Sequence, residues 1–148
     1  MKNPIGVMQG RLLPKYKGRY QAHPLGYWQD EFSKAAELGL DCIEFILDYN
    51  DADQNPLLTQ EGCKEIQSVS AQTGVKVLSV CADYFMEAPL HSENNQIAER
   101  SIEVLQQLLK TAVGIGVRDI VIPCVDQSSI KNEQVRTLFI EALTTVIP

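Results

Sequence analysis

Four residues have the types and the settings for chemistry on a hydroxyl-rich ligand: Gln9, Arg11, Glu44 and Asp83. Each follows or sits within a short apolar run that reads as a β-strand. Carboxylates and amides with one arginine suit a polyol or a sugar phosphate. Arg11 can grip a phosphate or carboxylate with its forked donors, or equally form a salt bridge on a loop surface. Glu44 interrupts the apolar run Cys-Ile-Glu-Phe-Ile-Leu. A carboxylate buried there is costly without partners, so it is either used or paired with a strand neighbour. Asp83 follows a third strand-like run and Glu87 lies four residues beyond it. Of the two, Glu87 reads more readily as a solvated loop charge.

Other arrangements fail as motifs. Asp51-Ala-Asp53-Gln-Asn55 begins like a calcium loop, but Pro56 and Gly62 stand where glycine and glutamate are needed. Gly114-Ile-Gly116 precedes a strand, whereas a dinucleotide-binding glycine loop follows one. The two histidines, His23 and His91, are far apart and lack zinc-site spacing. No nucleophile elbow or phosphate loop occurs. The 148 residues hold no complete catalytic constellation, so no catalytic or metal-ligating residue is assigned.

A threefold pattern defines the elements that must position these residues. The copies are Ala36-Glu-Leu-Gly39-Leu-Asp-Cys-Ile-Glu-Phe45, Ala71-Gln-Thr-Gly74-Val-Lys-Val-Leu-Ser-Val80 and Val113-Gly-Ile-Gly116-Val-Arg-Asp-Ile-Val-Ile122. In each, a helical stretch stops at glycine, which takes the left-handed conformation at a helix end, and a strand follows. The glycines recur at roughly one strand–loop–helix–loop length, as consecutive βα units require. Strands are expected at 5–8, 41–47, 76–82 and 118–124. A long loop spans 9–26, and helices follow each strand. The stripes Cys63, Ile66, Val69 and Ala98, Ile102, Leu105, Leu109, Ala112 face inward. A last helix carries Val135, Leu138, Phe139, Ala142 and Val146.

Composition sets the class: 45% hydrophobic, 22% charged and a net charge of −6. That charge argues against nucleic acid or an anionic membrane as partner. With no signal-peptide h-region, no membrane-length apolar run and no Cys-x-x-Cys pair, the chain reads as cytoplasmic with reduced cysteines. The fold class is α/β, four consecutive βα units with parallel strands in a single domain over 1–148. Two architectures contain such units, the front half of a (β/α)8 barrel and a small open doubly wound sheet. The half barrel leaves its first and fourth strands as sticky open edges, which a homodimer would cover. Open flavodoxin-like sheets carry a phosphate-binding loop after strand one, which this chain lacks.

Gly6-Val-Met-Gln-Gly-Arg-Leu12, the stretch Trp28 to Gly39, Asp41-Cys-Ile-Glu-Phe and Ser79-Val-Cys-Ala-Asp83 resemble xylose-isomerase-like TIM-barrel proteins. The likeness is closer to their sugar phosphate isomerase/epimerase branch, and it covers only the front half of that barrel. The resemblance implies a metal-dependent enzyme that moves a proton next to a carbonyl. Two glutamates would act as acid and base and, with an aspartate and a histidine, hold Mn²⁺, Mg²⁺ or Zn²⁺. Those ligands come from strands five to eight, so the chain, truncated after its fourth helix, is expected to hold no metal and to be inactive alone. Arg11, Glu44, Asp83 and Gln9 are carried over as substrate-binding positions. Endonuclease IV-type relatives place a metal-binding histidine near Asp83, and the aspartate here speaks against a nuclease. The alternative is a non-catalytic half-barrel binding or assembly module that dimerises.

Overall fold

The computed structural model of the chain describes residues 3–147. Met1, Lys2 and Pro148, which enter the domain bounds read from the sequence, lie outside the described residues. Four strands, β1 (Gly6–Met8), β2 (Cys42–Ile46), β3 (Lys76–Cys81) and β4 (Asp119–Val121), form one sheet in the order β1-β2-β3-β4. Every neighbouring pair is parallel. Helices α1 (Gln29–Glu37), α2 (Gln60–Thr73), α4 (Asn95–Ile115) and α5 (Glu133–Thr144) alternate with the strands. A one-turn helix, α3 (Tyr84–Glu87), lies in the stretch expected to be loop, held by the buried Tyr84 and Phe85.

Local chemistry sets the boundaries. Thr59, Asn94 and Asn132 cap α2, α4 and α5, each side chain accepting a first-turn backbone N–H. β4 is shorter than the run at 118–124 suggests. Its ladder has only β3 to pair with, and β3 ends at Cys81, register partner of Val121. Pro123 then removes a donor from any extension.

One face of the sheet is covered. Ile43, Phe45, Val77 and Val80 pack under Trp28, Phe32, Ile66, Val104, Leu105 and Leu108, all at or below 4% exposure. The rings of Trp28 and Phe32 lie 5.5 and 6.4 Å from that of Phe45. The expected stripe of α4 is buried at Leu105 and Ala112 and half-buried at Ala98, Ile102 and Leu109, while the buried face extends sideways to Ser101, Val104, Leu108 and Thr111. A hydrophobic pattern discounts Ser101 and Thr111. Their hydroxyls nonetheless donate to the carbonyls of Ala88 at 2.8 Å and Leu57 at 2.6 Å, which satisfies them inside the core. On α5 only Ala142 is buried, because that helix flanks an edge strand.

The opposite face carries alternate residues of each strand. Met8, Glu44, Ser79 and Asp119 form one register row across the sheet. Both β1 and β4 are open edges. All four cysteines are free.

Candidate functional site

The long loop between β1 and α1 is tied to the strand ends from its first residue. Gly10 takes a positive φ of 84°, which turns the chain sharply after β1. Glu31, in the first turn of α1 and wholly buried, gathers the backbone of that turn. Its carboxylate accepts the N–H of Gly10 at 2.8 Å and of Leu12 at 3.0 Å. Burial pushes the Glu31 carboxyl up, against the pull of the Gly10, Leu12 and Arg11 N–H groups. Sequence reading missed Glu31. An acidic residue in a first turn ordinarily reads as a complement to the helix dipole, and no pattern marks it as buried.

Gln9 is wholly buried and does not line an opening. Its N–H donates to the Glu44 carbonyl at 2.9 Å, and its Oε1 accepts from the Ile46 N–H at 3.0 Å. The same oxygen lies 3.2 Å from His23 Nδ1, which therefore carries the proton. Gln9 thus staples β1 to β2 and to the loop.

Arg11, Gln21 and Asp83 form a chain across the strand ends. Arg11 Nη2 donates to Gln21 Oε1 at 3.3 Å, and Gln21 Nε2 donates to Asp83 Oδ2 at 3.1 Å. Asp83 Oδ1 accepts the Cys81 thiol at 3.1 Å. Burial pushes the Cys81 thiol far up, reinforced by that bond and by the charges of Asp83, Glu44 and Asp48. The thiol therefore stays protonated at neutral pH.

Glu44 is half-buried on the open face and accepts the Ser79 hydroxyl at 2.7 Å. Its strand neighbour is a hydroxyl and not a cation. Asp48, just past β2 and 6% exposed, accepts Arg19 Nη2 at 3.1 Å and the His23 N–H at 2.8 Å. The structure therefore brings Arg11 and Asp83 together through Gln21, keeps Glu44 on the sheet face, and withdraws Gln9 into the core. Arg19 and Gln21 were missed because an aperiodic loop offers no spacing from which to read facing.

Openings lie at both ends of the strands. A cleft of about 250 Å³ lies at the C-terminal strand ends, lined by Arg19, Gln21, Asp48, Tyr49, Asn50, Asp83, Met86 and Glu87. A larger one, about 430 Å³, lies at the N-terminal ends beside Asp41, Lys76 and Arg118. Parallel α/β folds place ligands at the C-terminal ends, so the smaller cleft is the candidate. Among the described residues no helix is long and apolar enough to cross a membrane.

A family model described as xylose isomerase-like TIM barrel matches residues 32–148. L-ribulose-5-phosphate 3-epimerase UlaE of Salmonella heidelberg is 29% identical over 92 residues, which is 62% of this chain and 32% of that protein. UlaE of Salmonella typhimurium is 30% identical over 92 residues, with the same shares of each chain. The crystal structure of 3-keto-D-glucoside 4-epimerase YcjR from E. coli, in its apo form, aligns with a TM-score of 0.68 at 16% identity. That alignment covers 97% of this chain and 50% of the other, and at such identity it shows the fold alone. The four βα units correspond to half of a TIM-barrel structure, and the match spans about a third of the Salmonella proteins' own length.

Proposed function

This chain belongs to the xylose isomerase-like TIM barrel family, and from that membership we propose that it is the N-terminal half of a sugar or sugar-phosphate isomerase/epimerase. The parent enzyme would be metal-dependent and would act by proton transfer next to a carbonyl. This half would bind and orient substrate through Arg11, Asp83 and Glu44, with Gln9 behind them as a staple. The observation that carries the reading is the convergence of Arg11, Gln21 and Asp83 at the C-terminal strand ends. Similarity to proteins named as sugar epimerases supports it.

The residues here do not fit the metal that the family implies. Asp48 is paired with Arg19 and the His23 N–H, Asp83 accepts Gln21 and Cys81, and Glu44 accepts Ser79, so each is engaged with a different partner and none shares an ion site with another. Among the described residues no three His, Cys, Asp or Glu side chains are gathered to hold an ion. The acid–base and metal-holding groups are therefore assigned to the other half of the parent barrel. The chain's own part is to accept hydroxyl protons in hydrogen bonds and to fix the substrate's orientation.

Incubated in D₂O with Mn²⁺ and L-ribulose 5-phosphate, the chain is expected to exchange no proton next to the carbonyl above the uncatalysed rate. Exchange that EDTA abolishes would overturn the assignment.

A second reading is favoured by the two open edges, β1 and β4. In it the chain is a non-catalytic module whose homodimer pairs β4 of each copy with β1 of the other and closes eight strands. The reading expects a light-scattering mass twice that of the 16.5 kDa chain, independent of sugar; a monomer mass at micromolar concentration would remove it.

A further inference from the structure

We infer that the cleft at the ends of β2 and β3 takes the uncharged, hydroxyl-bearing part of a sugar, laid against Tyr49, and that it is not a phosphate pocket. The inference rests on the reading of the strand ends as a sugar site and adds which part of the ligand goes where.

The first ground is charge. Arg19 is the one cation lining the cleft, against Asp48, Asp83 and Glu87. Its guanidinium is already matched by Asp48 at 3.1 Å, so it brings no surplus positive charge. Two further carboxylates remain, and a phosphate dianion among them would be repelled. The same carboxylates suit hydroxyl groups. Asp83 accepts one donor on each oxygen, Gln21 Nε2 and the Cys81 thiol, and Glu87 accepts Gln127 Nε2 at 2.8 Å. A carboxylate has about four lone-pair sites, so acceptor capacity is left on both for O–H donors. Asn50 adds an amide that can both donate and accept.

The second ground is independent of charge. Tyr49 lines the cleft and remains 48% exposed although it is a large aromatic. Its ring packs beside that of Tyr84, buried on α3, with 5.2 Å between centroids. An aromatic face held at the wall of a polar cleft matches a sugar, whose C–H faces are apolar and whose rim is hydroxyl. At about 250 Å³ the cleft lies below the range that takes a drug-sized ligand, so it has room for part of a sugar and not for a larger group. Arg11 does not line the cleft, and its exposed guanidinium donates to Gln21 Oε1, at the other end of the amide whose Nε2 meets Asp83. A phosphate carried by the ligand would therefore lie outside the cleft, toward Arg11 or the rest of the barrel.

The test is a ¹⁵N-correlation NMR titration of the chain with L-ribulose, L-ribulose 5-phosphate and inorganic phosphate. Both sugars are expected to shift Tyr49, Asn50 and the Gln21 side-chain amide saturably, and inorganic phosphate to leave them in place. Tyr49→Ala and Asp83→Asn are each expected to raise the dissociation constant about tenfold, whereas Tyr49→Phe keeps it. An unchanged spectrum elsewhere certifies each variant's fold. Phosphate alone shifting these residues overturns the inference, as does a neutral sugar that shifts none of them, or variants that bind like the parent. Loss of the sugar shifts leaves the half-enzyme reading standing, while metal-dependent exchange by the chain alone would remove that reading and leave the cleft.

Discussion

Gly10→Ala is expected to cost about 4 kcal/mol of folding stability and to abolish sugar binding at the strand ends. A residue with a side chain at φ 84° pays for the left-handed conformation, about 1 kcal/mol. The larger part is steric. An added Cβ would stand 2.0 Å from the Tyr20 carbonyl oxygen and 2.7 Å from that of Ala22. Both are backbone atoms, so no rotamer change relieves the clash, and the loop must leave the turn. It then carries Gln21 away from Asp83 and breaks the donation of the Gly10 N–H to the buried Glu31. Gly18→Ala is the control, because φ there is 80° and nothing lies within 4 Å of the added carbon. It is expected to cost only about 1 kcal/mol. Urea unfolding followed by Trp28 fluorescence measures both, and equal losses would show that the approach to Tyr20 is not what matters.

The framework was legible because its signals are local and repeated. Gly39, Gly74 and Gly116 end their helices at φ 72°, 77° and 87°, and each strand follows within three residues. The same signals placed Glu44 within β2 and Asp83 just past the end of β3, since position along a strand is fixed by chain order. What stayed hidden was direction and depth. Gln9 and Arg11 are two residues apart, yet one is wholly buried and the other exposed. The positive φ at Gly10 reverses the chain between them, and hydropathy is silent about that reversal. Gln21 and Asp83 meet across 62 positions, a pairing that no short-range pattern encodes. Glu31 was hidden because its partners are backbone N–H groups, which every sequence supplies.

His23 should make this fold acid-sensitive well above the range in which carboxylates titrate. It is 5% exposed, packed 5.3 Å from the Phe45 ring and 6.3 Å from that of Trp28. Nδ1 donates to Gln9, while Nε2 has no partner. Burial lowers its pKa from 6.5 to about 4. Above the unfolded value both states hold a neutral ring, and stability is unaffected. Below it the unfolded chain takes up a proton that the folded chain refuses. Stability is therefore fully present above pH 6.5 and is lost as pH falls toward 4, by about 3 kcal/mol. The His91 pKa is also lowered by burial, so the parent's slope alone does not isolate His23. His23→Phe does. The new ring stays among Trp28 and Phe45, removes the unpartnered Nε2, and leaves Gln9 Oε1 the N–H of Ile46. Urea unfolding at about pH 7 and about pH 4.5 should show the variant losing about 2–3 kcal/mol less than the parent between the two. Equal losses would mean that His23 takes up its proton in the folded state, with water admitted to the ring beneath the strand-one loop.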